Sequence, residues 1–170
     1  MIHGVLLDLE GVLYVSGYPL PGAREALLSL RAAGIPVRFI TNSTRLTRSA
    51  IVNRLAGMGL ETPIQHLFTP AVAARQYLIT RRLVPHLLVH PELQSEFADL
   101  LGPPPGAVLL GDAGPGFSYE ALNQCFRLLL EGLPLLAMGS NRYFRNQSGL
   151  NLDIGAFMAA LEYAAEMEAV

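Results

Sequence analysis

The sequence contains no lysine and only one cysteine. Its 12 basic residues are therefore all arginines; they are spread along the chain, and the net charge is −2. Without a cluster of basic residues, a nucleic-acid partner is not expected. Cys125 has no second cysteine with which to form an internal disulfide, which is typical of a protein from a reducing compartment.

The chain also lacks a long uninterrupted apolar run. Asp8 and Glu10 interrupt the first one, no basic segment precedes it, and Glu131 divides the most hydrophobic stretch further on. We therefore expect no signal peptide, no membrane span and no membrane partner, but a soluble cytoplasmic protein. The 170 residues are 51% hydrophobic, which suffices for a packed core in one ordinary domain or two small ones.

The first apolar run, residues 5–13, carries two acids two residues apart. Gly4 and Gly11 bound its main part, and the length predicts a strand buried on both faces in the middle of a parallel sheet. Because side chains alternate along a strand, Asp8 and Glu10 point the same way at its carboxyl end, where open α/β sheets bind ligands. They are candidate active-site residues, and the alternative is a strand end whose acids only face solvent.

Asp8, Gly11, Val12 and Leu13 resemble the first motif of the haloacid dehalogenase superfamily, an apolar strand ending in D-x-D-G-[TV]-[LV]. The resemblance implies that Asp8 is a nucleophile that accepts a phosphoryl group. The second acid of the motif protonates the leaving group and then activates water, and Glu10 stands in its place instead of aspartate. The resemblance also implies a Mg²⁺ ion bound by the Asp8 carboxylate and the Glu10 carbonyl oxygen.

A second predicted strand ends in Thr41 and is followed by Asn42. This resembles the superfamily's second motif, a strand that ends in Thr or Ser, commonly with Asn next. A hydroxyl beside free backbone N–H groups can hold phosphate oxygens without adding negative charge, so Thr41 and Asn42 are candidate phosphate-binding residues. The alternative is a helix cap, because Ser43, Thr44 and Thr47 are all capping residue types.

Strand and helix patterns recur along the rest of the chain. The predicted strands lie at 37–41, 66–69, 87–89, 107–110 and 135–138, and the predicted helices at 22–33, 51–58, 70–78, 91–101, 119–131 and 154–166. The first three strand–helix units predict parallel pairing with right-handed crossovers. The later units resemble the α/β cap of the branch that contains 4-nitrophenyl phosphatases and haloacid dehalogenase-like hydrolase domain-containing proteins.

The expected fold is therefore α/β. A Rossmann-like haloacid dehalogenase core, apparently only the first half of its parallel sheet, would occupy residues 1–80, and an inserted α/β cap would occupy residues 81–170. In capped phosphatases, loops that follow a cap strand face the core site and recognise the leaving group. Asn141, Arg142 and Tyr143 are therefore candidate substrate-binding residues, with a solvated surface turn as the alternative.

Asp112 ends a strand in the manner of the superfamily's fourth motif, whose acids bind magnesium. Phe117 stands where that motif has its second acid, so packing within the cap is the favoured interpretation of Asp112. Cys125 lies on the apolar face of a predicted helix and is expected to be a buried packing residue.

The resemblance implies a Mg²⁺-dependent phosphomonoesterase that acts through a phosphoaspartyl intermediate on a small phosphorylated metabolite. The alternative is a catalytically weak or inactive binding protein, or an incomplete fragment of such a hydrolase. Glu10 favours it, as does the lack of a G-K-P motif and of a fourth-motif Asp pair. On that interpretation the strand of Asp8 keeps an open apolar edge, covered in a longer parent protein or by a partner such as a second copy. The isolated chain would then bind magnesium poorly and turn over little substrate.

Overall fold

The computed structural model describes residues 2–146 and 148–170, which form two compact units. The first unit extends to Ser43 and resumes over Thr47–Thr69, and the second comprises Thr44–Leu46 and Pro70–Val170. The helix that begins at Pro70 goes with the second unit. The division into a core of residues 1–80 and a cap of residues 81–170 stays a prediction. Within the described ranges, no helix is long and apolar enough to cross a membrane.

Strands and helices alternate in the first unit. Its elements are β1 (Val5–Asp8), β2 (Tyr14–Val15), β3 (Tyr18–Pro19), α1 (Ala23–Ala32), β4 (Val37–Ile40), α2 (Arg48–Gly57), a 3₁₀ helix (Ile64–His66) and β5 (Leu67–Phe68). Strands β1, β4 and β5 form a parallel sheet in that order, as the sequence predicted. The core of this unit contains Phe39 of β4 together with Leu27 and Leu55 of the two helices.

Strand β1 differs from the expected central strand buried on both faces. It is the end strand of its sheet in the part of the chain that the structure describes, and Leu6 is 61% exposed. Val5 and Leu7, which point to the opposite face, are partly buried. The prediction of a central, doubly buried strand is therefore wrong for these residues, because β4 is the one strand beside β1 and the Leu6 face is open. A partner for that edge stays a prediction.

The second unit is built around another parallel sheet. Its elements are α3 (Pro70–Arg81), β6 (Pro85–Leu88), a 3₁₀ helix (Pro91–Leu100), β7 (Ala107–Leu110), a 3₁₀ helix (Gly114–Gly116), α4 (Tyr119–Leu130), β8 (Leu135–Ala137), β9 (Tyr143–Asn146), β10 (Gly149–Leu152) and α5 (Ile154–Ala165). Strand β7 lies between β6 and β8, and all four of its residues are buried. An uninterrupted apolar strand suits this central position, where both faces are covered.

Each unit also contains a β-hairpin. In the first, Tyr14 of β2 pairs with Pro19 of β3, and Ser16 and Gly17 form the turn with positive φ angles of 50° and 84°. Two consecutive positive φ angles are typical of a type I′ turn, whose twist matches that of the flanking strands. In the second, β9 pairs antiparallel with β10. Tyr143 therefore begins a strand instead of lying in a loop.

Candidate active site

Asp8 and Thr41 lie at the carboxyl ends of neighbouring strands. Asp8 is the last residue of β1 and is in register with Ile40, the last residue of β4, and Thr41 follows directly. Because β1 and β4 are parallel, both side chains belong to the same edge of the sheet, where α/β proteins bind ligands. The pairing thus brings together the two residues that the first and second sequence motifs singled out.

The Asp8 carboxylate is exposed and only partly engaged. Its Oδ1 accepts a hydrogen bond of 2.7 Å from the Leu9 N–H. No hydrogen bond to Oδ2 is found within the described residues, so this oxygen is open to solvent or to a ligand. Leu9 itself is fully buried, and it anchors the chain where the strand ends. A nucleophilic carboxylate needs one oxygen that a substrate can reach, and Oδ2 of Asp8 meets this requirement.

The Glu10 side chain is held by the hairpin that follows it. Its Oε1 accepts a hydrogen bond of 2.9 Å from the Ser16 N–H. Glu10 also forms a parallel bridge with Tyr14, in which the Gly11 N–H donates to the Tyr14 carbonyl at 2.8 Å. Burial raises the pKa of Tyr14, and the Glu10 carboxylate raises it further, partly through a side-chain hydrogen bond, whereas Arg54 lowers it. The hydrogen bond from Ser16 therefore directs the Glu10 carboxylate toward the turn.

Thr41 and Asn42 begin the loop between β4 and α2. The Thr41 Oγ1 accepts a hydrogen bond of 3.2 Å from the Ser43 N–H, which closes a small turn. The cap of α2 is Thr47, whose side chain accepts from the Ala50 N–H. Capping is thus done by another residue, and within residues 2–146 and 148–170 the Thr41 hydroxyl donates no hydrogen bond, so its proton is available to a ligand oxygen. Asn42 is exposed.

Asp112 in the second unit is already paired. Its Oδ2 lies 2.5 Å from the Nε of Arg45, and its Oδ1 accepts a hydrogen bond of 2.9 Å from the Gly114 N–H. The Asp112 N–H in turn donates to the Thr44 Oγ1 at 3.3 Å. Both carboxylate oxygens are used, which favours packing over metal binding. In residues 2–146 and 148–170, no group of three or more His, Cys, Asp or Glu side chains could hold a metal ion.

Asn141 and Arg142 lie between β8 and β9 in the second unit, Tyr143 is the first residue of β9, and all three are exposed. Their backbone is tied to the start of α5, since the Asn141 carbonyl accepts from the Gly155 N–H at 2.9 Å and the Arg142 carbonyl accepts from the Asp153 N–H at 3.2 Å. The segment is therefore fixed at its backbone, and in the part of the chain that the structure describes no hydrogen bond or ion pair of these three side chains is found. Whether they meet a substrate stays a prediction.

Comparison with known proteins adds independent evidence. Residues 5–100, more than half of the chain, match the family model of haloacid dehalogenase-like hydrolases. The chain belongs to this family. It is 43% identical to a phospholysine phosphohistidine inorganic pyrophosphate phosphatase of Danio rerio, over 99% of the chain and 64% of that protein. It is 39% identical to haloacid dehalogenase-like hydrolase domain-containing protein 2 of Rattus norvegicus, over all of the chain and 66% of that protein.

A solved structure shows the same fold. The 4-nitrophenylphosphatase of Thermotoga maritima superposes with a TM-score of 0.90 at 26% identity, over 99% of this chain and 66% of that one. The chain thus spans 64–66% of the length of these relatives. The expected membership of the haloacid dehalogenase superfamily and of its 4-nitrophenyl phosphatase-like branch is confirmed.

Sequence reasoning missed Tyr14 as a part of this site. The side chain is buried, its backbone pairs with Glu10, and the Arg54 guanidinium lies 5.4 Å from the centroid of its ring. A hairpin signal was present in the sequence, because Ser16-Gly17 is flanked by Tyr14-Val15 and Tyr18, which favour strands. Recognition of that turn would have placed Tyr14 beside the second acid of the family motif.

Proposed function

We propose that this chain carries the nucleophile and the phosphate-binding residues of a phosphomonoesterase. The observation that carries the proposal is the register of β1 with β4, which sets Asp8 and Thr41 at one edge of a parallel sheet. Membership of a hydrolase family whose relatives are named as phosphatases supports it. Because the chain spans only 64–66% of the length of those relatives, the activity of the whole protein is part of the proposal.

The proposed reaction has two steps. An Asp8 oxygen attacks phosphorus, and a bond to the carboxylate forms as the bond to the leaving oxygen breaks and Glu10 gives its proton to that oxygen. Glu10 then takes a proton from water, which attacks the phosphoaspartate, so that inorganic phosphate leaves and Asp8 is regenerated. The hydroxyl of Thr41 and the N–H groups around Asn42 hold the phosphoryl oxygens through both steps.

A divalent cation fits the donors at this edge. The Asp8 carboxylate and the Glu10 carbonyl are hard oxygen ligands, and in the described residues that carbonyl accepts no hydrogen bond. When bound, Mg²⁺ would neutralise negative charge on the phosphoryl group and the nucleophile. Two protein ligands are few for an ion that prefers six oxygens, so we expect weak binding by these residues alone.

The second unit is proposed as the cap that selects the substrate. Asn141, Arg142 and Tyr143 offer a hydrogen-bonding group, a cation and an aromatic ring on a segment whose backbone is fixed to α5. Such a set suits a small phosphorylated metabolite whose leaving group carries polar or anionic atoms and a flat apolar part.

Turnover of 4-nitrophenyl phosphate with and without Mg²⁺ tests the proposal, with Asp8→Asn as the decisive variant. Asn keeps the shape of the side chain and loses its charge and most of its nucleophilicity, so the rate should fall by orders of magnitude with little change in the unfolding midpoint. Asp99, an exposed acid of the second unit, offers a matched control, because Asp99→Asn should leave the rate unchanged. A wild-type rate in Asp8→Asn would rule out the mechanism.

One observation favours a second candidate function, a catalytically weak protein that binds a phosphorylated ligand. The Glu10 carboxylate already accepts the Ser16 N–H, so its exchange of protons with a substrate competes with that bond. This candidate predicts that inorganic phosphate binds with similar affinity to the wild type and to Asp8→Asn, and that neither protein turns over an aryl phosphate. Calorimetry together with the turnover assay separates the two functions.

A further inference from the structure

Asp112 is a buried acid that the proposed reaction does not use. Its Oδ2 lies 2.5 Å from the Nε of Arg45, and its Oδ1 accepts from the Gly114 N–H at 2.9 Å. Its own N–H donates to the Oγ1 of Thr44 at 3.3 Å, and Thr44 is buried as well. Two of these three contacts reach consecutive residues of the chain, so one acid fixes Thr44 and Arg45 together.

Arg45 is also held by an aromatic ring and by a turn. Its guanidinium carbon lies 5.1 Å from the centroid of the Phe144 ring, within the range of a cation–π contact. A Cβ atom added to Gly114 would lie 3.9 Å from the Nη2 of Arg45, so the guanidinium also lies beside the turn that follows Asp112. These contacts restrict the backbone of the segment Thr44–Leu46, which belongs to the second unit.

The restricted segment directly follows the turn that carries the candidate phosphate-binding residues. Strand β4 ends at Ile40, so only Thr41, Asn42 and Ser43 lie between the strand and Thr44. The Ser43 N–H donates to the Thr41 Oγ1 at 3.2 Å, and within the described residues the Asn42 N–H donates no hydrogen bond. Three residues anchored at both ends have few backbone conformations, so the direction of the Thr41 hydroxyl and of the Asn42 N–H depends on the position of Thr44.

The chemistry of this turn makes the direction of its donors important. Residues 41–43 include no cationic side chain, so the turn must hold a phosphoryl group with hydroxyl and N–H donors. A hydrogen bond weakens steeply as its angle departs from linear. A turn that must first be ordered also loses part of the binding free energy when the ligand binds. A turn with fixed ends avoids both losses.

We propose that Asp112 is a positioning residue for phosphate binding. Through Arg45 and Thr44 it fixes the carboxyl-terminal end of the turn Thr41–Ser43, so that the donors of the turn are correctly directed before a phosphoryl group binds. The inference rests on the proposed function, in which this turn holds the phosphoryl oxygens. It also gives a role to the acid that resembles the fourth family motif in sequence. Asp112 does not touch the phosphate and acts only through the two residues that it contacts.

Asp112→Asn tests the inference, with Asp99→Asn as the matched control. Both changes replace the acid of an arginine–carboxylate pair in the second unit, but Asp99 pairs with Arg75. Asparagine keeps the shape of the side chain and the backbone N–H that donates to Thr44. The first measurement needs no ligand: hydrogen exchange of the Ser43 amide, followed by NMR. We expect exchange to be several-fold faster in Asp112→Asn, because the turn is held less firmly, and unchanged in Asp99→Asn.

The Ala121 amide is the internal reference for this measurement. It also donates to a side-chain oxygen, the Ser118 Oγ at 3.1 Å, and it lies in the same unit as Asp112. Equal acceleration of the Ala121 and Ser43 amides in Asp112→Asn would mean a general loss of stability. That result, or wild-type exchange of the Ser43 amide, would overturn the inference.

The second measurement is the affinity for inorganic phosphate, determined by calorimetry. Asp112→Asn removes one negative charge, which by itself would favour the binding of an anion. A loosened turn has the opposite effect, because it must be ordered on binding. We therefore expect the dissociation constant to rise by about tenfold in Asp112→Asn and to stay unchanged in Asp99→Asn. An unchanged or tighter affinity in Asp112→Asn would contradict the proposed role.

Thr44→Val tests the same link without any change of charge, and it decides the question if Asp112→Asn does not fold. Valine keeps the shape of threonine but lacks the oxygen that accepts from the Asp112 N–H, so the affinity for inorganic phosphate should fall. Thr44→Ser keeps that oxygen and should retain most of the affinity. Equal losses in the two variants, or no loss in Thr44→Val, would overturn the inference.

Turnover of 4-nitrophenyl phosphate distinguishes failure of the inference from failure of the proposed function. A loss of phosphate binding that is equal in the ground state and the transition state raises KM and leaves kcat unchanged, so Asp112→Asn should raise KM by about tenfold. If the wild type turns over the ester and Asp112→Asn keeps the wild-type KM, the function stands and Asp112 has no part in it. If the wild type does not turn over the ester, the proposed function fails, and the phosphate affinity and the Ser43 exchange rate decide the inference. A wild type that binds no inorganic phosphate would overturn the inference as well.

Discussion

The Nε of Arg45 lies 2.5 Å from Oδ2 of Asp112, a residue 67 positions further along the chain. The side chain of Asp112 is 10% exposed and that of Arg45 42% exposed. The Arg45 guanidinium carbon also lies 5.1 Å from the centroid of the Phe144 ring. Because burial of a carboxylate costs free energy unless the group is paired, this ion pair fixes the segment Thr44–Leu46 within the second unit.

Arg45→Ala should therefore lower the free energy of unfolding by about 1–3 kcal/mol, since the buried Asp112 carboxylate loses its charged partner. The free energy of unfolding of Arg45→Lys should lie between those of Arg45→Ala and the wild type, because lysine keeps the charge without the guanidinium geometry. Urea denaturation measures both. The ion pair between Arg75 and Asp99, whose carboxylate is exposed, gives the matched comparison: Asp99→Ala should cost less than Asp112→Ala. Equal losses would mean that burial does not set the strength of these pairs.

Glu10→Asp restores the residue type of the family motif, yet the structure predicts a lower rate. The shorter side chain does not reach the Ser16 N–H that now lies 2.9 Å from Oε1, so the carboxylate loses its fixed position. We expect kcat for phenyl phosphate to fall by about tenfold or more. A rate above that of the wild type would show that the bond from the Ser16 N–H does not hold the Glu10 carboxylate in a productive position.

The elements that could be predicted from the sequence are those with a strong local signal. The sequence predicts strand β7 because four consecutive apolar residues suit a strand covered on both faces. It predicts β4 because a mainly apolar segment follows Gly34, a residue type that commonly ends helices. The adjacency of Asp8 and Thr41 also followed, since two successive strand–helix units pair in parallel.

What could not be predicted depends on weak or distant interactions. Strands β2 and β3 have two residues each, too few to show an alternating pattern. In β10 the apolar Leu150 and Leu152 are exposed while Asn151 is partly buried, the reverse of the usual pattern. The segment Pro91–Leu100 has the apolar spacing of an α-helix but forms a 3₁₀ helix. At this length the spacing of apolar residues does not distinguish the two helix types, so the sequence could not predict which one forms. The engagement of Glu10 by the hairpin required knowledge of the Ser16 turn.

Gly155 is required where α5 begins. A Cβ atom there would clash with the Ser140 carbonyl oxygen and lie 2.6 Å from that of Asn141, and these are backbone atoms that cannot rotate away. Gly155→Ala should destabilise the second unit by about 1–3 kcal/mol and shift the amide resonances of Asn141 and Arg142. Gly57, which ends α2 with open space around it, is the control. Gly57→Ala should be neutral or stabilise by up to about 1 kcal/mol, so a loss at both positions would mean that the contact at Gly155 is not the cause.

Cys125 predicts how stability changes at high pH. Burial raises the pKa of its thiol from the usual value of 9.0 to about 11. In the unfolded chain the thiol loses its proton near its ordinary pKa, whereas the folded chain keeps it until about pH 11. The folded state therefore binds more protons in that interval, and the free energy of unfolding should fall as the pH rises above 9 and through the folded pKa, by about 2–3 kcal/mol in all for this group. Cys125→Ala lacks the thiol, so the difference between the two denaturation series isolates this contribution from those of tyrosine and arginine. A constant difference between the wild type and Cys125→Ala from pH 8 to about pH 11 would contradict the prediction.

Below the pH interval in which the thiol titrates, the buried Cys125 should also react slowly with thiol reagents in the folded protein and rapidly once the protein is unfolded.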